Sequence, residues 1–234
     1  VTKIFAVAAK DLRSEVRAKE IAPAMVLFAL VLVFLTSLIL PPSAGRAPIP
    51  TPQAGAIGTL EVAAAMFWIS VLFAGIVGFG RAAALEKEGN LIDALALSPA
   101  DPAAVFAGKA LANFVYLTLL EAIIIPFFIV MLDVSVASLL PRILIVMVVA
   151  NIGLSAVGTM FGTATQYSRA KELVFPLLLF PIILPVVLGS IRLTGALLAT
   201  GTFSGESQWF ILLATFDLVF ATLGAVTYEY LINE

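Results

Sequence analysis

Residues 81–109, RAAALEKEGNLIDALALSPADPAAVFAGK, are the longest charged interlude in a chain otherwise made of long apolar runs. An apolar run at about 59–80 precedes the interlude and another at about 103–132 follows it, each long enough to cross a hydrocarbon core of about 30 Å as a helix. Within the interlude, Asn90 can cap a short helix that starts after Gly89. Leu91, Ile92 and Leu95 share one face of that helix, Asp93 points away, and Ser98-Pro99 ends it. Asp101 and Pro102 then read as the cap and first residue of the next helix. An amphipathic helix pinned between two membrane spans is either a solvated connection packed on its own bundle or a surface on which a partner docks. The local pattern leaves both open.

Outward from this stretch the same alternation continues. Of 234 residues, 62% are hydrophobic and 12% charged, where a globular chain carries about a quarter charged. That composition predicts an all-α polytopic membrane protein of one domain, because only helices and closed barrels satisfy their backbone groups in lipid. Net charge is −2 and histidine is absent, so no basic excess points to nucleic acid. Without cysteine there is no disulfide, thiolate nucleophile or iron–sulfur ligand, and His/Cys zinc sites are excluded. The mixed-charge residues ahead of the first apolar run do not read as a cleavable signal.

Residues 2–19 read as an amphipathic helix. Ile4, Phe5, Ala8, Ala9, Leu12 and Val16 lie on one side, and Lys3, Lys10, Arg13 and Arg17 share an arc of roughly 80° on the other. Glu15 and Lys19 fall on the apolar side and spoil the pattern. Cations so placed suit the headgroup layer of a membrane. The six spans are expected at 21–40, 59–80, 103–132, 139–163, 172–190 and 209–231, with Pro41-Pro42 stopping the first. Trp68, Gly75 and Gly78 lie in the second, and Asn113, Glu121 and Pro126 in the third. In the fourth, Asn151, Ser155, Gly158 and Gly162 share a face suited to close helix contact. Pro176, Pro181 and Pro185 are expected to kink the fifth, since each removes a backbone donor. Residues 192–208, rich in Gly, Thr and Ser, have the character of a segment that dips into the membrane and returns. Lys and Arg on alternate sides count five, three and two against one each at Arg46, Arg142 and Arg192. Ten against three predicts cytoplasmic termini and a cytoplasmic segment at 82–101.

An amphipathic basic N-terminal helix, six spans, a charged helix between the second and third and a turn before the sixth resemble ABC-2-type exporter permeases. More narrowly, KDLRSEVRAKE at 10–20, EKEGNLIDALALSP at 86–99 and KELVFPLLLFPIILP at 171–185 resemble the haem exporter B (CcmB) family of cytochrome c maturation, over nearly the whole chain. The resemblance implies a multi-pass permease of the bacterial inner membrane, paired with a second copy of itself and two copies of a cytosolic ATPase. It also implies a haem-handling membrane protein and a haem chaperone as neighbours. No Gly-x-x-x-x-Gly-Lys-Ser/Thr occurs in the chain, so ATP is expected in the ATPase subunit and no catalysis in this one. On that footing the 86–97 helix is the expected contact with the ATPase, through Glu86, Glu88, Gly89, Leu91, Ile92 and Leu95. The complex would either export haem or release loaded chaperone.

Two other classes compete. One is a general ABC-2 permease for a lipid, polysaccharide or drug. The other is a proton-coupled secondary transporter using the membrane-embedded carboxyls Glu121 and Asp217, with Asn151 nearby in depth. An intramembrane aspartyl enzyme would need those carboxyls to face each other. The plain alternative is that they hydrogen-bond to Asn113, Asn151 or threonines and serve helix packing. For haem iron the chain offers no His or Cys. Met25, Met66, Met131, Met147 and Met160 suit packing better than ligation, so no cofactor or metal is expected on this chain and the iron is expected on a neighbouring protein.

Overall fold

The computed structural model describes residues 2–18, 21–40, 59–88, 101–132, 138–165 and 171–233. Among them are seven α-helices: α1 (Thr2–Ala18), α2 (Ile21–Ile39), α3 (Thr59–Glu88), α4 (Pro102–Leu132), α5 (Leu140–Thr165), α6 (Lys171–Thr200) and α7 (Ser207–Asn233). Helices α2 to α7 are each long and apolar enough to cross a membrane, with mean hydropathy from 2.0 to 2.5. The helix starts follow from local chemistry. Asp101 caps α4, its carboxylate accepting from Ala103 N at 3.1 Å, and Pro102 stands first in the helix where no N–H is needed. The start of α2 is capped from outside its own sequence. Oε1 of Glu15 accepts from the N–H groups of Ile21 and Ala22 at 2.8 and 2.9 Å, and Pro23 has no N–H to satisfy.

Helices α3 and α5 form the centre. Their spanning windows are 61% and 67% buried, whereas that of α7 is 11% buried and therefore lies at the edge. Close approach is set by glycines. A Cβ on Gly158 of α5 would strike the ring of Phe79 on α3, and one on Gly78 of α3 would strike Met25 of α2. Trp68 of α3 is fully buried and donates its indole N–H to Thr194 Oγ1 of α6 at 2.9 Å. The large apolar side chains left outside, among them Leu27, Phe34, Leu177, Leu188 and Leu218, suit lipid.

Three features depart from the expectations. The second span does not stop at Gly80: α3 continues through Arg81-Ala-Ala-Ala-Leu85 to Glu88, since this run of good helix formers contains no breaker. Residues 192–200 do not dip and return. They extend α6 to Thr200, where Gly201 closes it with φ 72° and its N–H on Leu197 O at 2.9 Å. A short turn with Gly205 at φ 83° leads into α7, and Arg142 at the head of α5 donates to Gly201 O at 2.6 Å. The third departure concerns α1, which packs on α4 through a face of Ile4, Val7, Ala8, Asp11, Leu12 and Glu15, all buried or half-buried. Phe5 and Ala9, read from the sequence as part of the same apolar side, are left exposed. At about 100° per residue they form a separate apolar strip between the packed face and the exposed Lys3, Lys10 and Arg13.

Candidate functional site

The interlude that organises the sequence is divided by the structure. Glu86 and Glu88 belong to the end of α3 rather than to a separate helix. Gly89, Leu91, Ile92 and Leu95 lie outside the described residues. The flanks are firmly held: the end of α3 packs on α5 around Gly162, where Ala83 approaches, and the head of α4 is covered by α1. A Cβ at Gly108 would run into Val7 and the carbonyl of Ile4. Tyr116 of α4 donates its hydroxyl to Asp11 O of α1 at 3.1 Å.

Deeper in the bundle, Glu121 of α4 and Asn151 of α5 are brought together. Asn151 Nδ2 donates to Glu121 Oε2 at 2.7 Å and lies 3.4 Å from Thr118 Oγ1. Both residues are buried, and Glu121 Oε1 and Asn151 Oδ1 have no hydrogen-bond partner among the described residues. Asp217 of α7 is elsewhere. Its Oδ1 occupies the space that a Cβ on Gly153 would fill. Asn151 and Gly153 are two residues apart on α5 and so point about 200° apart. Helix α5 therefore stands between the two carboxyls, and they are not arranged as a facing acid pair.

A second group of chemistry-bearing residues lies at the α1 end, where the sequence singles out Asn113 but not its neighbours. Lys109, Asn113 and Tyr116 follow one another at i, i+4 and i+7 on α4, a polar stripe on an apolar helix that the spacing alone could have flagged. Lys109 is counted in the sequence as a loop cation, yet it is 3% exposed. With Asp11 and Ser14 of α1, Ala82 and Ala83 of α3, and Thr159, Gly162 and Thr163 of α5, this stripe lines a partly open cavity of about 60 Å³. Asn113 Nδ2 donates across it to Thr159 Oγ1 at 2.8 Å.

Pro176, Pro181 and Pro185 all lie inside α6, which runs through them as one helix. Met25 and Met147 are buried in the core, Met66 and Met160 are packed at its edges, and Met131 is exposed. No curated protein matches the chain. The family model described as CcmB protein does match, over residues 2–230. That span takes in every helix from α1 through most of α7, and on it the chain belongs to the CcmB family.

Proposed function

We propose that this chain is the permease through which a cytosolic ATPase acts on a haem-handling complex, with residues 86–97 as the docking element. Family membership carries the broader statement, a membrane permease of the haem-export ABC transporter of cytochrome c maturation that works with an ATPase subunit. One observation supports the docking element above others: α3 is continuous from the buried core at Trp68 to Glu88. A load applied just beyond Glu88 is thereby delivered along a rigid helix to the Phe79–Gly158 contact with α5. Leu91, Ile92 and Leu95 would seat in a groove of the ATPase, with Glu86 and Glu88 meeting cations at its rim and Gly89 within the same contact. In this scheme two copies of the permease and two of the ATPase assemble with a haem-handling membrane protein and a haem chaperone. The three prolines of α6 would let that helix bend as the bundle responds, ATP is hydrolysed on the partner, and the haem iron is ligated by a neighbouring protein.

The docking element is tested by Leu91→Asp combined with Leu95→Asp. An unpaired charge forced into the groove costs several kcal/mol, enough to dissociate a typical complex. The doubly substituted chain is expected to reach the membrane in normal amount and to lose the copurifying ATPase. Full copurification with undiminished ATPase activity would move the contact elsewhere.

A further inference from the structure

We infer that Arg192 binds the headgroup phosphate of a phospholipid in the leaflet remote from α1, and that the hydrocarbon of that leaflet ends at the level of Arg192 and Trp209. The exposed side chains of α6 change character at this residue. From Leu173 to Leu188 they are apolar, among them Leu177, Phe180 and Leu184. Arg192 is exposed too and continues the row of Leu184 and Leu188 at four-residue steps. Beyond it, as far as Gln208, the exposed residues are Thr200, Thr202, Ser204, Gly205, Ser207 and Gln208, all polar or glycine.

Two helices place the boundary independently. Along α6 the rise from Leu173 to Arg192 is about 28 Å at about 1.5 Å per residue, which matches a hydrocarbon core of about 30 Å. Along α7 the exposed side chains from Ile211 to Val226 are apolar or threonine, and Glu229 and Tyr230 follow. From Trp209 to Glu229 the rise is again about 30 Å. The two markers also sit at one depth. A Cβ on Gly189 of α6 would meet Leu213 of α7, so across this antiparallel pair Arg192 is level with Phe210, next to Trp209. Tryptophan at the headgroup level is the usual marker of a membrane interface. The last two turns of α6 then stand about 12 Å clear of the hydrocarbon, together with the contact of Arg142 with Gly201.

The chemistry of the guanidinium selects the ligand. It carries five N–H donors and no acceptor, and among the described residues no hydrogen bond or ion pair holds that of Arg192. An arginine at the end of an apolar row lays its stem along the lipid chains and lifts its charge to the interface. Phosphodiester oxygens are the strong acceptors at that depth, and their spacing suits the guanidinium fork at two points. Arg192 thereby fixes how far α6 can sink into the bilayer, because one further turn inward would carry the charge among acyl chains. None of this depends on the proposed docking of the ATPase at the other end of the bundle.

The full chain is reconstituted in bilayers of phosphatidylethanolamine and phosphatidylglycerol, with a nitroxide on a single cysteine replacing Leu188 or Thr200. Relaxation by oxygen, which concentrates in hydrocarbon, is compared with relaxation by a water-soluble nickel chelate. Oxygen is expected to dominate at Leu188 and nickel at Thr200, and oxygen dominance at both positions overturns the boundary. For the phosphate, magic-angle-spinning NMR of the chain with carbon-labelled arginine reads dipolar coupling between guanidinium carbon and lipid phosphorus. Arg192→Lys is expected to remove one phosphorus-coupled guanidinium from the spectrum while the label at Leu188 keeps its depth, which shows that the substituted chain is folded. Arg192→Leu, which extends the apolar row, is expected to shift the label at Thr200 toward oxygen. An identical coupled signal in the unsubstituted chain and Arg192→Lys overturns the phosphate contact and leaves the guanidinium to a carboxylate of another chain. If the Arg192 coupling forms equally in uncharged galactolipid bilayers bathed in inorganic phosphate, the headgroup is overturned as its source.

Discussion

At the scale of single residues the Glu121–Asn151 pair shows how a magnitude separates two roles. Hydrogen bonds between membrane helices average about 0.6 kcal/mol, so the 2.7 Å bond contributes little to association by itself. Removing one partner is a different matter, because it leaves a buried polar group unsatisfied at a cost of about 1–3 kcal/mol. Asn151→Leu is expected to lower the thermal unfolding midpoint of the purified chain. Glu121→Gln, which keeps an acceptor for Asn151 Nδ2, should leave both midpoint and cytochrome c maturation nearly unchanged. If Glu121→Gln instead abolished maturation in a stable protein, the carboxyl would be functional and the packing role wrong. Geometry already disfavours a shared role for Glu121 and Asp217, which meet α5 on different sides.

Among the elements, α1 is the one whose behaviour depends most on a single side chain. Glu15 spoils the amphipathic pattern because it belongs to the next helix, capping the free N–H groups of Ile21 and Ala22 across the junction. Replacing a cap by alanine costs about 1 kcal/mol. Glu15→Ala is thus expected to speed amide exchange at Ile21 and Ala22 about fivefold, and Glu15→Gln, which retains an acceptor oxygen, much less. Unchanged exchange in Glu15→Ala would mean that water satisfies the junction. The long α3 shows the complementary rule: an alanine run with no breaker carries a span eight residues beyond its expected end.

For the whole molecule, the distribution of cations predicts which end of the bundle faces inward. α1, the end of α3, the head of α4 and the end of α5 surround the same cavity, so Lys109 shares an end of the bundle with the basic α1. Arg142 lies with Gly201 at the α6–α7 turn. With the cation-rich end inside, single cysteines replacing Asp93 and Gln166 should resist an impermeant reagent applied from outside, and those replacing Ser43, Asp133 and Ser204 should react. The chain has no native cysteine to confuse the reading. Labelling of Asp93→Cys from outside would invert the topology. For cargo, the permease and ATPase purified without the haem-handling protein should show no stoichiometric Soret band, and leucine in place of all five methionines should leave maturation largely intact. A stable haem complex of this chain, lost on changing one Met or Tyr, would make direct haem transport the leading mechanism.

The sequence by itself determined six spans, because crossing lipid demands a long apolar helix whose backbone bonds close internally, and length with hydropathy records that demand. It also placed the start of α4 at Asp101-Pro102, where cap and first residue are adjacent in the chain. What only the tertiary structure decided is which side of each helix faces protein. Leu and Ile are as content against lipid as against another helix, so apolarity carries no inside and outside in a membrane protein. The sequence therefore left Lys109 among the loop cations and Phe5 undivided from the α1 residues that pack on α4. It offered Glu121 several partners, of which the fold chose Asn151 on a helix 30 positions away. Contacts between distant segments settled these points, and no local pattern encodes such contacts.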